Sequence, residues 1–233
     1  HRGYNLSNAA FSHQRIANEL ALNSPFTVLY ALYAQQKEIS ASKLYGKLSD
    51  AQIIAEIQLQ MRANSTQPVH FDHAEAPSLH HQTVPSRGKR PLNLVVMLQE
   101  SLGAGFVGHL GGLPLTHNLD ALSKEGLSFT QMYATGTRTA RGMEAVVAGY
   151  PPSPMPSTLK LPKSQGGFAT LGNVLQQHGY QSAFIYGGVA NFDNMRGFYQ
   201  SNGFTQVIEQ QDFKQPVFLG NWGVSDEDWV QKA

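Results

Sequence analysis

The chain has no cysteine among its 233 residues. That excludes disulfides, cysteine-based zinc sites and a thiol nucleophile, and it leaves the compartment open. Net charge is nearly absent too: the formal value is +1 at pH 7, which gives no reason to expect nucleic acid or an acidic surface as partner. No apolar run approaches the roughly 18 to 20 residues needed to cross a bilayer. The nearest, LALNSPFTVLYALYA over residues 20–34, is broken by Asn, Ser and Pro; it reads as a buried helix, or as one lying against a membrane or protein face. The chain opens HRGYNLSNAAF, without an initiator Met or a signal-peptide pattern, and so reads as part of something longer. No internal repeat is present.

What is there fits a loop-rich globular protein of one large domain, or of one domain with an appendage. Hydrophobic residues make up 41% of the chain, with 22 Gly and 12 Pro, too apolar for disorder. Three textures divide it. Residues 1–63 read as a helical stem, in which Ser49 and Gln52 stand in capping-box spacing ahead of Ile53, Ile54, Ile57 and Met61. Residues 64–90 are rich in Pro, Ser and His without apolar period, as in a linker. Residues 91–233 alternate short apolar runs with helical patterns.

In that third zone LNLVVML (92–98) reads as a buried strand. A helix follows, capped at Thr116 or Asn118 and ended at Gly126, and then a second strand, LSFTQMY (127–133). Further on come a helix with Thr170 at its start and Gly179 past its end, the strand SAFIYGG, a helix closed by Gly203, and the strand TQVIEQ. Such alternation predicts βαβ units and a mostly parallel sheet, an α/β fold.

Ligands of open α/β sheets gather beyond the carboxyl ends of the strands. Glu100 and Ser101, the segment TGTRTARG (135–142), and YGGVANFDN (186–194) all stand at such junctions. Thr139 falls near a helix start, where free N–H groups favour anions. It is either a helix cap or a nucleophile. A threonine hydroxyl needs a base or a metal to act as a nucleophile, and no histidine is close in sequence, so a metal is the expected activator. Glu100 suits an oxygen-seeking ion such as Mg²⁺ or Mn²⁺, or a zinc site. Arg138 and Arg141 suit a phosphate or sulfate, or are simply solvated.

VVMLQESLGAGFVG, LSKEGLSFTQMYATGTRTARGMEAVVAGYPP, YGGVANFDNMRGFYQSNGF and NWGVSDED, in that order, resemble the lipoteichoic acid synthase and phosphoglycerol transferase branch of the alkaline phosphatase/sulfatase superfamily. The resemblance covers residues 91–233, the N-terminal portion of such a catalytic domain. It implies a sulfatase-like α/β fold, with Thr139 as nucleophile and metal ligand and Glu100 as metal carboxylate. The implied ion is Mn²⁺ or Mg²⁺, with Zn²⁺ as an alternative, and Arg141, Asp193 and Asn194 are the implied substrate-binding residues. The implied reaction moves a phosphoglycerol group from a phosphatidylglycerol-like donor to a glycan or glycerophosphate hydroxyl. Phosphoethanolamine transfer, phosphodiester hydrolysis and a non-catalytic lipid- or glycan-binding role are the alternatives. The implied setting is the outer side of the cell membrane, reached through helices preceding this stretch.

Departures limit the match. The Cys/Ser-x-Pro-x-Arg pattern of true sulfatases is absent. So is the Asp-His-Gly segment that completes the family's metal site, and the chain as given is therefore expected to bind metal weakly and turn over little. Asp72-His73 precedes the first expected strand and reads as a decoy; His70, His80 and His81 read as polar linker residues. Val189 stands where relatives often carry a polar residue. Asp193 is alternatively a helix cap and Asn194 a loop tie, while Arg196 reads as a solvated helix residue. Ser225 and Asp228 read as a structural cap.

Overall fold

The computed structural model describes residues 6–9, 11, 17, 20–22, 24–35, 46–71, 80–82, 91–151, 153–161, 166–220 and 222–233. Contacts divide the chain into two compact units, residues 39–97 and residues 1–38 together with 98–233. The Asp72-His73 pair lies outside the described residues.

In the smaller unit the helix Asp50–Ala63 begins with the expected capping box. The Gln52 amide donates to Ser49 Oγ at 3.3 Å, and the Ser49 amide to Gln52 Oε1 at 3.0 Å. The predicted apolar stripe is not buried: Ile53 and Ile57 are exposed. Val69–His70 pairs antiparallel with His81–Gln82, so the stretch read as linker holds a two-residue ladder. The Arg62 guanidinium sits 4.8 Å over the Phe71 ring, a cation–π contact.

The larger unit carries the chemistry. The helix Ser24–Gln35 occupies most of the apolar run noted above. Its Val28, Leu29, Leu32 and Tyr33 are all more than half exposed, which corrects the expectation of a buried helix. Among the described residues no helix is long and apolar enough to cross a membrane.

The predicted helices of this unit form, as do two of its predicted strands. Helix α3 (His117–Glu125) ends at Gly126, and α5 (Leu171–Gln177) starts at Thr170, whose Oγ1 accepts from the Asn173 amide. For numbering, Ser24–Gln35 is α1 and Asp50–Ala63 is α2, while the two-residue ladder is β1 (Val69–His70) and β2 (His81–Gln82). Strand β3 (Ala183–Ile185) lies parallel to β4 (Gln206–Ile208), with Phe184 opposite Val207. Helix α6 (Met195–Ser201) crosses between them, completing one βαβ unit. A two-residue antiparallel ladder, β5 (Leu219–Gly220) with β6 (Gly223–Val224), leads into α7 (Asp226–Lys232).

The core is aromatic and lies beside this unit. Met195, Phe198 and Tyr199 of α6 are buried with Leu159 and with Ala140 and Met143 of α4 (Thr139–Ala148). The Phe184 and Tyr199 rings stack with centroids 3.7 Å apart, and Phe204 meets Tyr199 edge-on at 4.8 Å. Full burial of Leu159, Met195 and Phe198 contributes about 1.5–3 kcal/mol each. Burial pushes the Tyr199 hydroxyl far above its ordinary range.

Residues 92–98 and 127–133, both predicted strands, have no regular secondary structure. Val95, Leu127, Met132 and Tyr133 are more than three-quarters exposed. Strand preference in an apolar run describes the fit to a half-buried pleated surface. Among the described residues no strand lies alongside either segment to provide that surface.

Candidate functional site

Thr139 is the first residue of α4, and Arg138 stands at the cap. Arg138 lends no side-chain acceptor to the helix start. Thr139 is therefore not the cap, and its hydroxyl is used elsewhere. It donates to Glu100 Oε1 at 2.7 Å, across 39 residues of sequence. Glu100 is followed by Ser101 at φ 59°, a left-handed conformation that side chains other than glycine avoid and that gathers at functional turns. Gly136 packs closely against this helix: a Cβ there would stand 3.0 Å from Arg141 Cγ.

The two arginines of the motif have different surroundings. Arg138 is exposed. Arg141 Nη1 donates to Glu144 Oε1 at 2.8 Å and Nη2 to the Ser153 carbonyl at 2.8 Å, and only 16% of its side chain is exposed. Glu144 is 1% exposed. Its Oε2 accepts from Ser157 Oγ at 2.8 Å, the Thr158 amide at 2.7 Å and Thr158 Oγ1 at 2.9 Å. A buried carboxylate is tolerable with this many donors. Glu144 was missed by sequence reasoning. Its one signal was a lone charge in the apolar half of the helix, three residues after Arg141.

Asp193 and Asn194 lie in a tight turn, at φ 52° and 60°. Neither caps α6 with its side chain: Asn194 occupies the cap position without a side-chain bond. Asp193 Oδ2 lies 3.1 Å from Lys160 Nζ. Asn194 is 3% exposed, and its Nδ2 donates to the Leu159 carbonyl at 3.2 Å, the loop tie that was one of its two expected roles. Arg196 is not solvated: it pairs with Glu209, which is 5% exposed. Glu209 Oε2 also takes the Ala190 amide at 2.5 Å, so this ion pair holds the turn containing Val189. No hydrogen bond or ion pair among the described residues joins Thr139 or Glu100 directly to Asp193 or Asn194.

Two further acidic residues act on backbone. Asp228 accepts from the Val217 amide at 2.9 Å, the Phe218 amide at 3.3 Å and Ser225 Oγ at 2.7 Å. These bonds, led by that from Val217, hold its carboxyl below the usual range, and Ser225 with Asp228 forms the expected cap. Asp120 takes the His109 amide at 2.9 Å and lies 3.1 Å from His109 Nδ1, while His109 Nε2 is 3.2 Å from Ser128 Oγ. The amide bond chiefly lowers the Asp120 pKa.

Glu100 and Thr139 present two hard oxygens side by side, the donor type that suits Mg²⁺ or Mn²⁺ and that Zn²⁺ also accepts. By themselves two such oxygens would make only part of a ligand set. Among the described residues no group of three or more His, Asp or Glu is gathered to hold an ion. His70 and His80 belong to the smaller unit.

Residues 92–233 match the sulfatase family. Phosphoglycerol transferase I of Escherichia coli (strain SMS-3-5 / SECEC) is 29% identical over 151 residues, covering 61% of this chain and 20% of its own length. Phosphoglycerol transferase I of Shigella boydii serotype 18 is similar to the same extent. A crystal structure of a protein in the alkaline phosphatase superfamily from Vibrio parahaemolyticus is 52% identical, with a TM-score of 0.73. That match covers 83% of this chain and 46% of the other. The chain thus spans a fifth of the length of the curated relatives and under half of the solved one.

Proposed function

This chain belongs to the sulfatase family of the alkaline phosphatase superfamily, and from that premise we propose that its parent protein transfers a phosphoglycerol group from a phospholipid to a hydroxyl acceptor, with Thr139 as nucleophile. The observation that carries the reading is the 2.7 Å bond from Thr139 Oγ1 to Glu100 Oε1 at the start of α4. It joins the hydroxyl at the first helical position of the motif to the first carboxylate after LNLVVML.

Thr139 Oγ1 attacks the phosphorus of a phosphatidylglycerol-like donor. The P–O bond to diacylglycerol breaks, the diacylglycerol oxygen leaves and is protonated, and the phosphoglycerol group remains as an ester on Thr139. An acceptor hydroxyl then attacks the same phosphorus, and Thr139 regains its proton. Glu100 orients the Thr139 hydroxyl in the resting state. The N-terminal end of α4 faces the developing negative charge with its partial positive charge. Arg138 brings a full positive charge next to it. Glu100 and Thr139 would hold a divalent ion, which when bound supplies Lewis-acid polarisation and lowers the pKa of the hydroxyl. Asp193 serves the glycerol end, with Asn194 tying down its turn, and Arg141 acts through the wall it forms with Glu144. A lipid donor requires a membrane surface, and the outer face of the cell membrane is the setting that the family resemblance implies.

The test is diacylglycerol release by the full-length parent from phosphatidylglycerol and, separately, from phosphatidylethanolamine. Release from the first, lost in Thr139→Ala, supports the reading. Release only from the second changes the group transferred, and release unaffected by Thr139→Ala overturns the assignment of the nucleophile.

A further inference from the structure

The short 3₁₀ turn Thr158–Lys160 touches both halves of the candidate site. On one side Ser157 and Thr158 give three hydrogen bonds to Glu144 of α4, five residues on from Thr139. Ser157 Oγ also lies 3.3 Å from the Ala140 carbonyl in the first turn of that helix. On the other side the Leu159 carbonyl takes Asn194 Nδ2, and Lys160 Nζ reaches Asp193. Between the two, the Leu159 side chain is fully buried in the core with Met143 and Met195.

Consecutive left-handed residues that are not glycine are unfavourable, and they persist only where their surroundings over-determine them. Asn194 Oδ1 is also buried with no hydrogen-bond partner among the described residues, a second penalty on the same turn. The bonds that resist both come from Leu159 and Lys160. A buried carboxylate with four donors cannot shift without leaving some of them unpaired, so the turn has a rigid anchor at Glu144.

We propose that Thr158–Lys160 is a positioning element: anchored by Glu144 to the helix of Thr139, it holds Asp193 and Asn194 in their strained conformation and so sets the ligand-binding turn against the nucleophile. The ligand-binding part of this rests on the function proposed above; the mechanical coupling does not. Lys160 and Glu144 are positioning residues in this scheme, acting through Asp193 and through the turn.

Hydrogen exchange on the free protein tests the coupling. The Lys160 side chain is 43% exposed, so Lys160→Met removes the tie without opening the core. Exchange of the Asp193 to Met195 amides should accelerate about tenfold while Phe198 and Tyr199 stay protected, and Lys160→Arg should restore most of the protection. Glu144→Gln should accelerate Thr158 to Leu161 together with Asp193 to Met195. Unchanged exchange at Asp193 to Met195 in Lys160→Met, or equal acceleration throughout the core, overturns the proposal. A parallel titration with sn-glycerol 1-phosphate, followed by the amide resonances of Thr139 and Asp193, separates the two readings. Affinity that falls about fivefold in Lys160→Met and returns in Lys160→Arg supports both. The predicted exchange pattern with no binding by the full-length parent keeps the coupling and counts against the proposed function.

Discussion

Arg141 and Glu144 form a shielded ion pair one helical turn apart, 2.8 Å between Nη1 and Oε1. The second guanidinium nitrogen is held by the Ser153 carbonyl. The arginine of TGTRTARG that looks most like an anion binder thus turns both terminal nitrogens to partners inside the protein, and Arg138 is the exposed one.

Arg141→Ala should therefore act on stability. Removing one partner of a buried pair leaves the other charge uncompensated, at about 3–5 kcal/mol. Urea denaturation followed by circular dichroism measures it. A midpoint equal to that of the unaltered chain would return Arg141 to the role of a free ligand-binding cation.

Thr139→Val should do the reverse. Thr139 is only half-buried and is not the cap of α4, so stability should move by less than about 1 kcal/mol. Diacylglycerol release by the full-length parent should fall by about 10³ or more, as for loss of a nucleophile. Paired denaturation and release assays check both halves.

Gly203 sits at φ 89°, and a Cβ there would stand 2.4 Å from the Asn173 amide nitrogen. Gly203→Ala meets the left-handed penalty of roughly 1–2 kcal/mol, with a backbone clash added. Thermal unfolding should show a lower midpoint, and Gly179→Ala, at φ 82° with open space around it, a smaller drop.

Asp120 and Asp228 both have carboxyls held below their ordinary values by backbone amides, from His109 and Val217 respectively. A lowered folded pKa contributes stability above the unfolded value of about 3.9 and loses it as pH falls through the folded value. Denaturation midpoints should be flat in this respect from pH 7 to 5 and decline below about pH 4. Asp228→Asn should be weaker at neutral pH and show a shallower acid decline, measured by urea titrations across that range.

Much of the architecture was legible because it is local. Ser49 with Gln52, Thr170 and Ser225 begin their helices as spacing predicts, since a cap needs only an oxygen within reach of an amide two or three residues on. The β3–α6–β4 unit was legible as well: two apolar runs flank a helix of sufficient length, and short right-handed crossovers leave few other arrangements. Residues 92–98 and 127–133 were misread as formed strands because composition reports a taste for a sheet and not the presence of a neighbour. Arg196 looked solvated because its partner Glu209 stands 13 residues away, beyond any helical spacing.

The candidate site divides along the same line. Residue order alone placed Thr139 at a helix start and Glu100 after an apolar run, because helix signals and strand signals act within a few residues. That Thr139 donates to Glu100 rather than capping its own helix was decided in three dimensions. So was the withdrawal of Arg141 into a pair with Glu144, and the hold of Thr158–Lys160 on Asp193 and Asn194. Each of these depends on which polar groups are buried together, and a buried charge accepts whichever donors folding brings to it, however far apart they lie in the chain.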